Sequence, residues 1–220
     1  MQDIDSAKKA FDQVRAFANC HKEVIFSGSE ADARLRLIDR ILIEVLGWQR
    51  DGIRAEPPTE SGYIDYLLSS GGRSVFVVEA KKAGNTLVST KVPNFAFYKV
   101  GGPALRDSED GLTQAARYCS EKSVAFAALT NGSSWVGFRP LRIDGVPYRE
   151  GRAAVFPNLE AVASRFAEFY DLFSQGWRSL SHLQHLSRPG GRQRPQSHRS
   201  PRYRHPSLKH TPDEKNRASS

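Results

Sequence analysis

The stretch from Gly62 to Lys81 reads GYIDYLLSSGGRSVFVVEAK. Two runs rich in Ile, Leu, Val, Tyr and Phe flank Ser69-Ser70-Gly71-Gly72, a polar break of the kind that folds one strand back on another. The pattern predicts a β-hairpin that carries charges. Because side chains alternate along a strand, Val75, Val77, Glu79 and Lys81 share one face, while Phe76, Val78 and Ala80 share the other. Asp65, between Ile64 and Tyr66 in the partner strand, then comes opposite the end of the second strand, near Glu79. Three charged groups converge on one point.

Carboxylates inside a strand lose hydration and need a partner. A divalent cation between Asp65 and Glu79 would compensate both. Hard oxygen ligands at fixed separation suit Mg²⁺, which binds through one or two carboxylates together with water and substrate phosphate. The plainer reading pairs Lys81 with Glu79 as an ordinary charge pair and lets Asp65 end a strand.

Outward from the hairpin, the spacing of Phe11, Val14, Phe17, Ala18, Val24 and Ile25 predicts an amphipathic helix over Ser6–Phe26. Ser29 followed by Asp32 reads as the cap of a second helix. Its packing stripe is Arg34, Ile38, Ile41, Leu42 and Val45, and Gly47 ends it before Trp48. Glu30 begins the same stripe, so it either points toward the charged corner or is simply a carboxylate favourable at a helix N-terminus. Ile53–Glu56 reads as a short strand stopped by Pro57-Pro58, and Lys82–Leu105 as a long connection with one short helix.

Between Asp110 and Ser120 the sequence predicts a helix packed through Leu112, Ala115, Ala116 and Cys119, with Gln114 and Tyr118 sharing a face. Asn131-Gly132 joins two apolar runs, Val124–Thr130 and Ser133–Arg139, as a second hairpin. Asn158–Ser174 carries a strongly apolar helical pattern. The element order predicts an α/β domain, a mixed β-sheet flanked by helices.

The 220 residues suit one domain, 1–186, followed by a basic extension, 187–220. No run of 18 apolar residues and no signal-peptide core occurs, so a soluble, cytoplasmic protein without membrane contact is expected. Cys20 and Cys119 have no metal-ligand spacing and read as small buried residues. The net charge of +8 is uneven: Ser187–Ser220 holds nine basic and two acidic residues, +7, leaving 23 basic against 22 acidic, +1, in the rest. Composition of that kind buries too little apolar surface to offset ordering entropy of about 1–2 kcal/mol per residue, so the tail is expected to be disordered. Electrostatic hold on nucleic acid, a solubilising role and the remnant of a truncated or frameshifted longer gene all remain open for it.

Taken in order, Glu30, Leu46-Gly47-Trp48, Ile64-Asp65-Tyr66, Glu79-Ala80-Lys81, Gln114 with Tyr118, and Thr130-Asn131-Gly132 form a pattern. It resembles the N-terminal nuclease domain of type I restriction enzyme R subunits, in the PD-(D/E)XK nuclease superfamily. The resemblance covers roughly Ser29 to Phe173. It implies a restriction-endonuclease-like core and Mg²⁺-dependent hydrolysis of DNA phosphodiesters, with Mn²⁺ as a substitute. By the resemblance, Asp65 and Glu79 are the metal-binding acids, with the Ala80 carbonyl a further ligand. Lys81 positions or deprotonates the attacking water and offsets phosphate charge, and Glu30 joins the metal site through water. Gln114 and Tyr118 match a Gln-x-x-x-Tyr helix motif that holds the site or substrate, and Lys82 is a further candidate DNA contact.

Tyr63-Ile64 stands where the superfamily's name places a proline. No Gly-x-x-x-x-Gly-Lys-Ser/Thr phosphate loop is found, so the ATP-driven motor of an R subunit is absent. The expectation is a stand-alone endonuclease, or a module that takes its target from a specificity or motor subunit; a homodimer suits double-strand cleavage. The alternatives are a catalytically silent nucleic-acid-binding scaffold and a fragment of a larger defence protein. Deleting Ser187–Ser220 is expected to leave the melting temperature unchanged in a thermal scan; a clear fall would place the tail within the folded unit.

Overall fold

The computed structural model describes residues 3–60 and 62–175. The chain opens with helices α1 (Ile4–Cys20), α2 (Lys22–Ser27) and α3, which starts at Glu30–Ala33 and continues through π-helical segments Arg34–Ile38 and Ile41–Val45. Five strands follow: β1 (Ile53–Ala55), β2 (Pro58–Thr59), β3 (Gly62–Tyr63), β4 (Tyr66–Ser70) and β5 (Arg73–Ala80). After them come β6 (Ala96–Lys99), α4 (Glu109–Lys122), β7 (Phe126–Thr130) and β8 (Trp135–Phe138). The last elements are β9 (Arg152–Phe156), α5 (Leu159–Ser164) and α6 (Phe166–Phe173).

Gly71 and Gly72 make the central turn with φ of 59° and 75°. Two consecutive left-handed residues disfavour any side chain, and glycine adopts them freely in a turn whose twist suits the strands. β4 and β5 therefore pair antiparallel, Tyr66 opposite Val78, and β1 adds antiparallel to the outer edge of β4. The chain then crosses through α4 so that β7 lies parallel to β5, Glu79 opposite Leu129. β8, β9 and β6 continue antiparallel, giving a mixed seven-stranded sheet in the order β1-β4-β5-β7-β8-β9-β6.

The alternation along β5 sorts the core into two layers. Phe76, Val78 and Ala80 join α1, α3, α5 and α6 in a cluster containing Phe11, Trp135 and Phe169. Val77 belongs with the α4 side, among Leu112, Ala115, Leu129 and Val136. Trp48 closes the first layer: its indole N–H donates to the Phe173 carbonyl at 2.8 Å, and the Gln175 N–H donates to that of Leu46 at 3.2 Å. The ends of α3 and α6 are thereby joined. No helix among the described residues is long and apolar enough to cross a membrane.

Several elements differ from the sequence expectation. The N-terminal helix starts at an Asp3 cap and breaks at His21, and the C-terminal one breaks at Arg165, whose φ of −129° leaves the helical region. β6 lies within the expected long connection and β9 in a stretch without a strand signal. β6 is a half-buried edge strand with no clean alternation, while β9 is buried throughout, and its Arg152-Ala153-Ala154 start carries no β-branched residue. Asp65 stands at a bend before β4, outside the strand, and Cys20 is exposed while Cys119 is buried. The expected boundary at Leu186 and the tail lie outside the described residues.

Phe169 is fully buried, its ring centroid 5.0 Å from Phe173, 5.3 Å from Phe156 and 5.5 Å from Trp135. Phe169→Ala removes the shared centre of this aromatic cluster and is expected to cost about 3–5 kcal/mol in urea unfolding. A cost under about 1 kcal/mol would mean that the helices do not seal the sheet as described.

Candidate active site

Glu79 has the parity of Val77, so its side chain leaves the sheet toward α4, and only 1% of its surface is exposed. Lys81 lies one residue past β5. Its N–H donates to the Thr130 carbonyl at 2.8 Å, extending the parallel ladder by one bond and fixing the lysine beside Glu79. The Lys81 ammonium donates to Glu79 Oε1 at 2.7 Å and to Gln114 Oε1 at 3.4 Å. Gln114 Nε2 in turn donates to the Tyr118 hydroxyl at 3.0 Å, one turn along α4. Tyr118 is buried, so it fixes Gln114 and presents no face of its own to a ligand.

α4 approaches this closely because Gly111 lacks a side chain. A Cβ there would lie 2.7 Å from Leu129 Cδ1 and 3.2 Å from Lys81 Cε. Glycine inside a helix is unfavourable by about 1 kcal/mol relative to alanine. The gap it leaves lets the stem of Lys81 run under the helix to Gln114.

Asp65 reaches the same corner from its bend. Its Oδ2 accepts the Ala80 N–H at 2.7 Å, a bond that ties the entry of β4 to the exit of β5. Oδ1 faces Arg34 Nη1 at 3.5 Å. Glu30 comes from the first turn of α3, held by a reciprocal cap in which the Ser29 hydroxyl accepts the Asp32 N–H and the Asp32 carboxylate accepts the Ser29 N–H. Of the residues the sequence singles out, the structure therefore gathers Glu30, Asp65, Glu79, Lys81 and Gln114, with Tyr118 behind. Lys82 is exposed, beyond the buried corner.

The electrostatics of the group are those of too many acids for the cations present. Burial, then the charge of Asp65, pushes Glu79 up to about 7 against the pull of Lys81. Burial also raises Asp65, outweighing the Ala80 N–H and the charges of Arg34 and Lys81. Glu30 is raised by burial and by Asp65. For Lys81 burial acts downward, yet its bond to Glu79 and the charges of Glu79, Glu30 and Asp65 leave it above its ordinary value.

Glu79 Oε2 is buried and has no hydrogen-bond partner. An orphaned carboxylate oxygen beside further acids fits a hard divalent cation, because such an ion supplies the missing positive charge and accepts oxygen ligands. Among the described residues no three His, Cys, Asp or Glu side chains form a cage by themselves. Asp65 and Glu79 could hold such an ion only with water filling most of its ligand positions.

A cleft of about 510 Å³ opens beside Lys81, lined also by Asn85, Thr86, Asp107, Asp110 and Gly111. Its near wall is fastened by Asn131, whose Nδ2 donates to the Asn85 carbonyl at 2.8 Å while its Oδ1 accepts the N–H groups of Ser133 and Ser134 at 3.0 and 2.7 Å. Sequence reasoning placed Asn131 in a turn and Arg34 in a packing stripe. An arginine within an otherwise apolar stripe is the available signal for the second; Asn131 belongs to the Thr130-Asn131-Gly132 part of the ordered pattern, which assigns it no role. The chain matches no family model, no curated protein and no solved structure.

The raised Glu79 makes a prediction about pH. Between its ordinary value of 4.5 and about 7, the folded chain holds a proton that the unfolded chain releases, so this group lowers stability as pH rises through that window. In chelator at pH 8, Glu79→Gln is expected to melt above wild type, with a flatter stability profile between these limits. A lower melting temperature would mean that Lys81 fully compensates the ionised carboxylate.

Proposed function

We propose that this chain is a Mg²⁺-dependent endodeoxyribonuclease of a restriction or phage-defence type, built on a restriction-endonuclease-like core, with Mn²⁺ able to replace Mg²⁺. The observation that carries this reading is the buried, unpartnered Glu79 Oε2 next to the Lys81 ammonium, at a corner that also holds Asp65 and Glu30. Buried carboxylate oxygens in structural charge pairs are as a rule hydrogen-bonded, so the orphaned one favours a missing ligand.

Asp65 and Glu79 would hold the ion, with the Ala80 carbonyl as the further ligand the sequence pattern implies. When bound, the ion polarises phosphate oxygens and lowers the pKa of bound water. The protein's own groups divide the remaining work. Lys81 keeps its proton at neutral pH, which favours a cationic role, offsetting charge that develops on the scissile phosphate, over a role as base. Gln114, fixed by Tyr118, is a second partner of the ammonium beside Glu79. Burial and the charge of Asp65 push Glu79 up to about 7, so a cation that arrived there would displace a proton near neutral pH. Lys82, exposed beside this corner, is the candidate contact to the DNA backbone.

With no phosphate loop in the sequence, target choice falls to the chain's own clefts or to a specificity or motor subunit. One observation favours the second reading, a silent nucleic-acid-binding scaffold: Arg34 already faces the Asp65 carboxylate. Supercoiled plasmid and linear duplex incubated with Mg²⁺, Mn²⁺ or chelator separate the two. The nuclease reading expects metal-dependent cutting that falls by about 10²–10³-fold in Lys81→Ala. Equal cutting by the variant would refute the site assignment; DNA binding without cutting by either protein would favour a partner-dependent module, and no binding at all a fragment or silent scaffold.

A further inference from the structure

Arg34 lies one turn beyond Glu30 on α3, and its guanidinium rests 5.0 Å from the centre of the Tyr66 ring. Nη1 is 2.9 Å from Glu56 Oε1 and 3.5 Å from Asp65 Oδ1, while Nη2 donates to the Asp65 carbonyl at 3.4 Å. The side chain is only 17% exposed. A guanidinium does not give up its proton in a protein, so this charge is permanent.

Glu56 is held in an unusual backbone state to meet it. Its φ is 53°, in the left-handed region that a glutamate adopts only at a cost of about 1–3 kcal/mol. In that conformation its N–H donates to the Asp65 carbonyl at 3.3 Å, the same oxygen that Arg34 reaches. Arg34 and Glu56 thus grip the Asp65 backbone together, and the arginine divides its charge between two carboxylates. Both oxygens of the Asp65 carboxylate already have partners, the Ala80 N–H on one and Arg34 on the other. A divalent cation arriving at Asp65 meets a fixed positive charge on the oxygen it needs.

We propose that Arg34 is the resident counter-cation of Asp65, so that the centre takes a divalent cation tightly only when a DNA phosphate draws the guanidinium off that carboxylate. The inference rests on the nuclease reading above and specifies how that site is loaded. A planar guanidinium forks onto phosphate oxygens at least as well as onto a carboxylate. Nη1 keeps Glu56, the nearer of its two carboxylates, as it leaves Asp65 Oδ1, while Nη2 gives up the Asp65 carbonyl and turns to the phosphate, which would contribute an oxygen to the ion. Ion and DNA then raise each other's affinity by the same factor, as linkage requires. Arg34 and Glu56 are positioning residues in this scheme: they act through Asp65.

The test is direct Mn²⁺ binding to the full chain without DNA, read by electron paramagnetic resonance of the free ion, together with anisotropy of a labelled phosphorothioate duplex with and without Mn²⁺. Arg34→Gln is expected to bind Mn²⁺ about 10-fold tighter than wild type, since a unit charge 3.5 Å from a ligand oxygen is removed. Arg34→Lys should stay near wild type. Mn²⁺ should strengthen duplex binding about 10-fold in wild type and by little in Arg34→Gln, whose carboxylate is open from the start. A purely structural role for Arg34 would give the opposite sign, a looser site and weaker Mn²⁺ binding.

No gain of affinity in folded Arg34→Gln overturns the proposal. If wild type then still cuts DNA with Mn²⁺ and Asp65→Asn does not, the nuclease reading survives that failure; if nothing binds or cuts, both fall. Should Arg34→Gln not fold, Glu56→Gln decides. With its second carboxylate gone, Arg34 rests wholly on Asp65 and Mn²⁺ affinity falls several-fold, whereas unchanged affinity overturns the proposal.

Discussion

The bond from the Ala80 N–H to the Asp65 carboxylate closes the corner on which the candidate site depends. β5 is paired along both edges, antiparallel to β4 and parallel to β7, so the groups at its end have little access to water. A backbone N–H at that end must find an acceptor within the protein. Asp65 supplies it, and in doing so is brought into a site where its own charge raises the proton affinity of Glu79 and Glu30. One hydrogen bond that completes a strand thereby assembles an excess of negative charge.

The rest of the site follows from how that excess is met. Lys81 is carried to Glu79 by the same parallel ladder, and Gly111 leaves room for its stem beneath α4. Gln114, held by Tyr118, gives the ammonium a second fixed partner without adding charge. Arg34 enters from the opposite layer of the sheet and meets Asp65 from outside. The two cations thus sit on different acids, Lys81 on Glu79 and Arg34 on Asp65, and Glu79 Oε2 is left over. An arrangement with an unfilled acceptor is poised for a ligand in a way that a fully paired cluster is not.

Much of this was legible in one dimension. The Gly71-Gly72 turn, the alternation that separates Val77 and Glu79 from Phe76 and Val78, and the Ser29–Asp32 cap all follow from the geometry of a single element. Asp65 was expected near Glu79 by the length of the hairpin, and it is there, although it arrives from a bend and not from within a strand. Arg34 lies on the inward stripe as expected, over Tyr66, but its pairing with Asp65 and Glu56 is not legible there, because helical periodicity gives the direction of a side chain and not what waits in that direction. β6 and β9 went unseen because a half-buried edge strand and a run beginning Arg-Ala-Ala carry almost no local signal, and both are stabilised by pairing with residues distant in sequence.

By itself, then, the sequence determined the hairpin, the Ser29 helix cap, the apolar stripes and the identity of the charged residues, since backbone sterics and side-chain period act over a few residues. Only the tertiary structure decided that β7 lies parallel to β5, that Glu56 adopts a left-handed backbone beside Arg34, and that Asn131 fastens the wall of the Lys81 cleft. Each of these is a contact between segments that share no local period. It exists because folding buries the two core layers together and must then satisfy every polar group trapped between them.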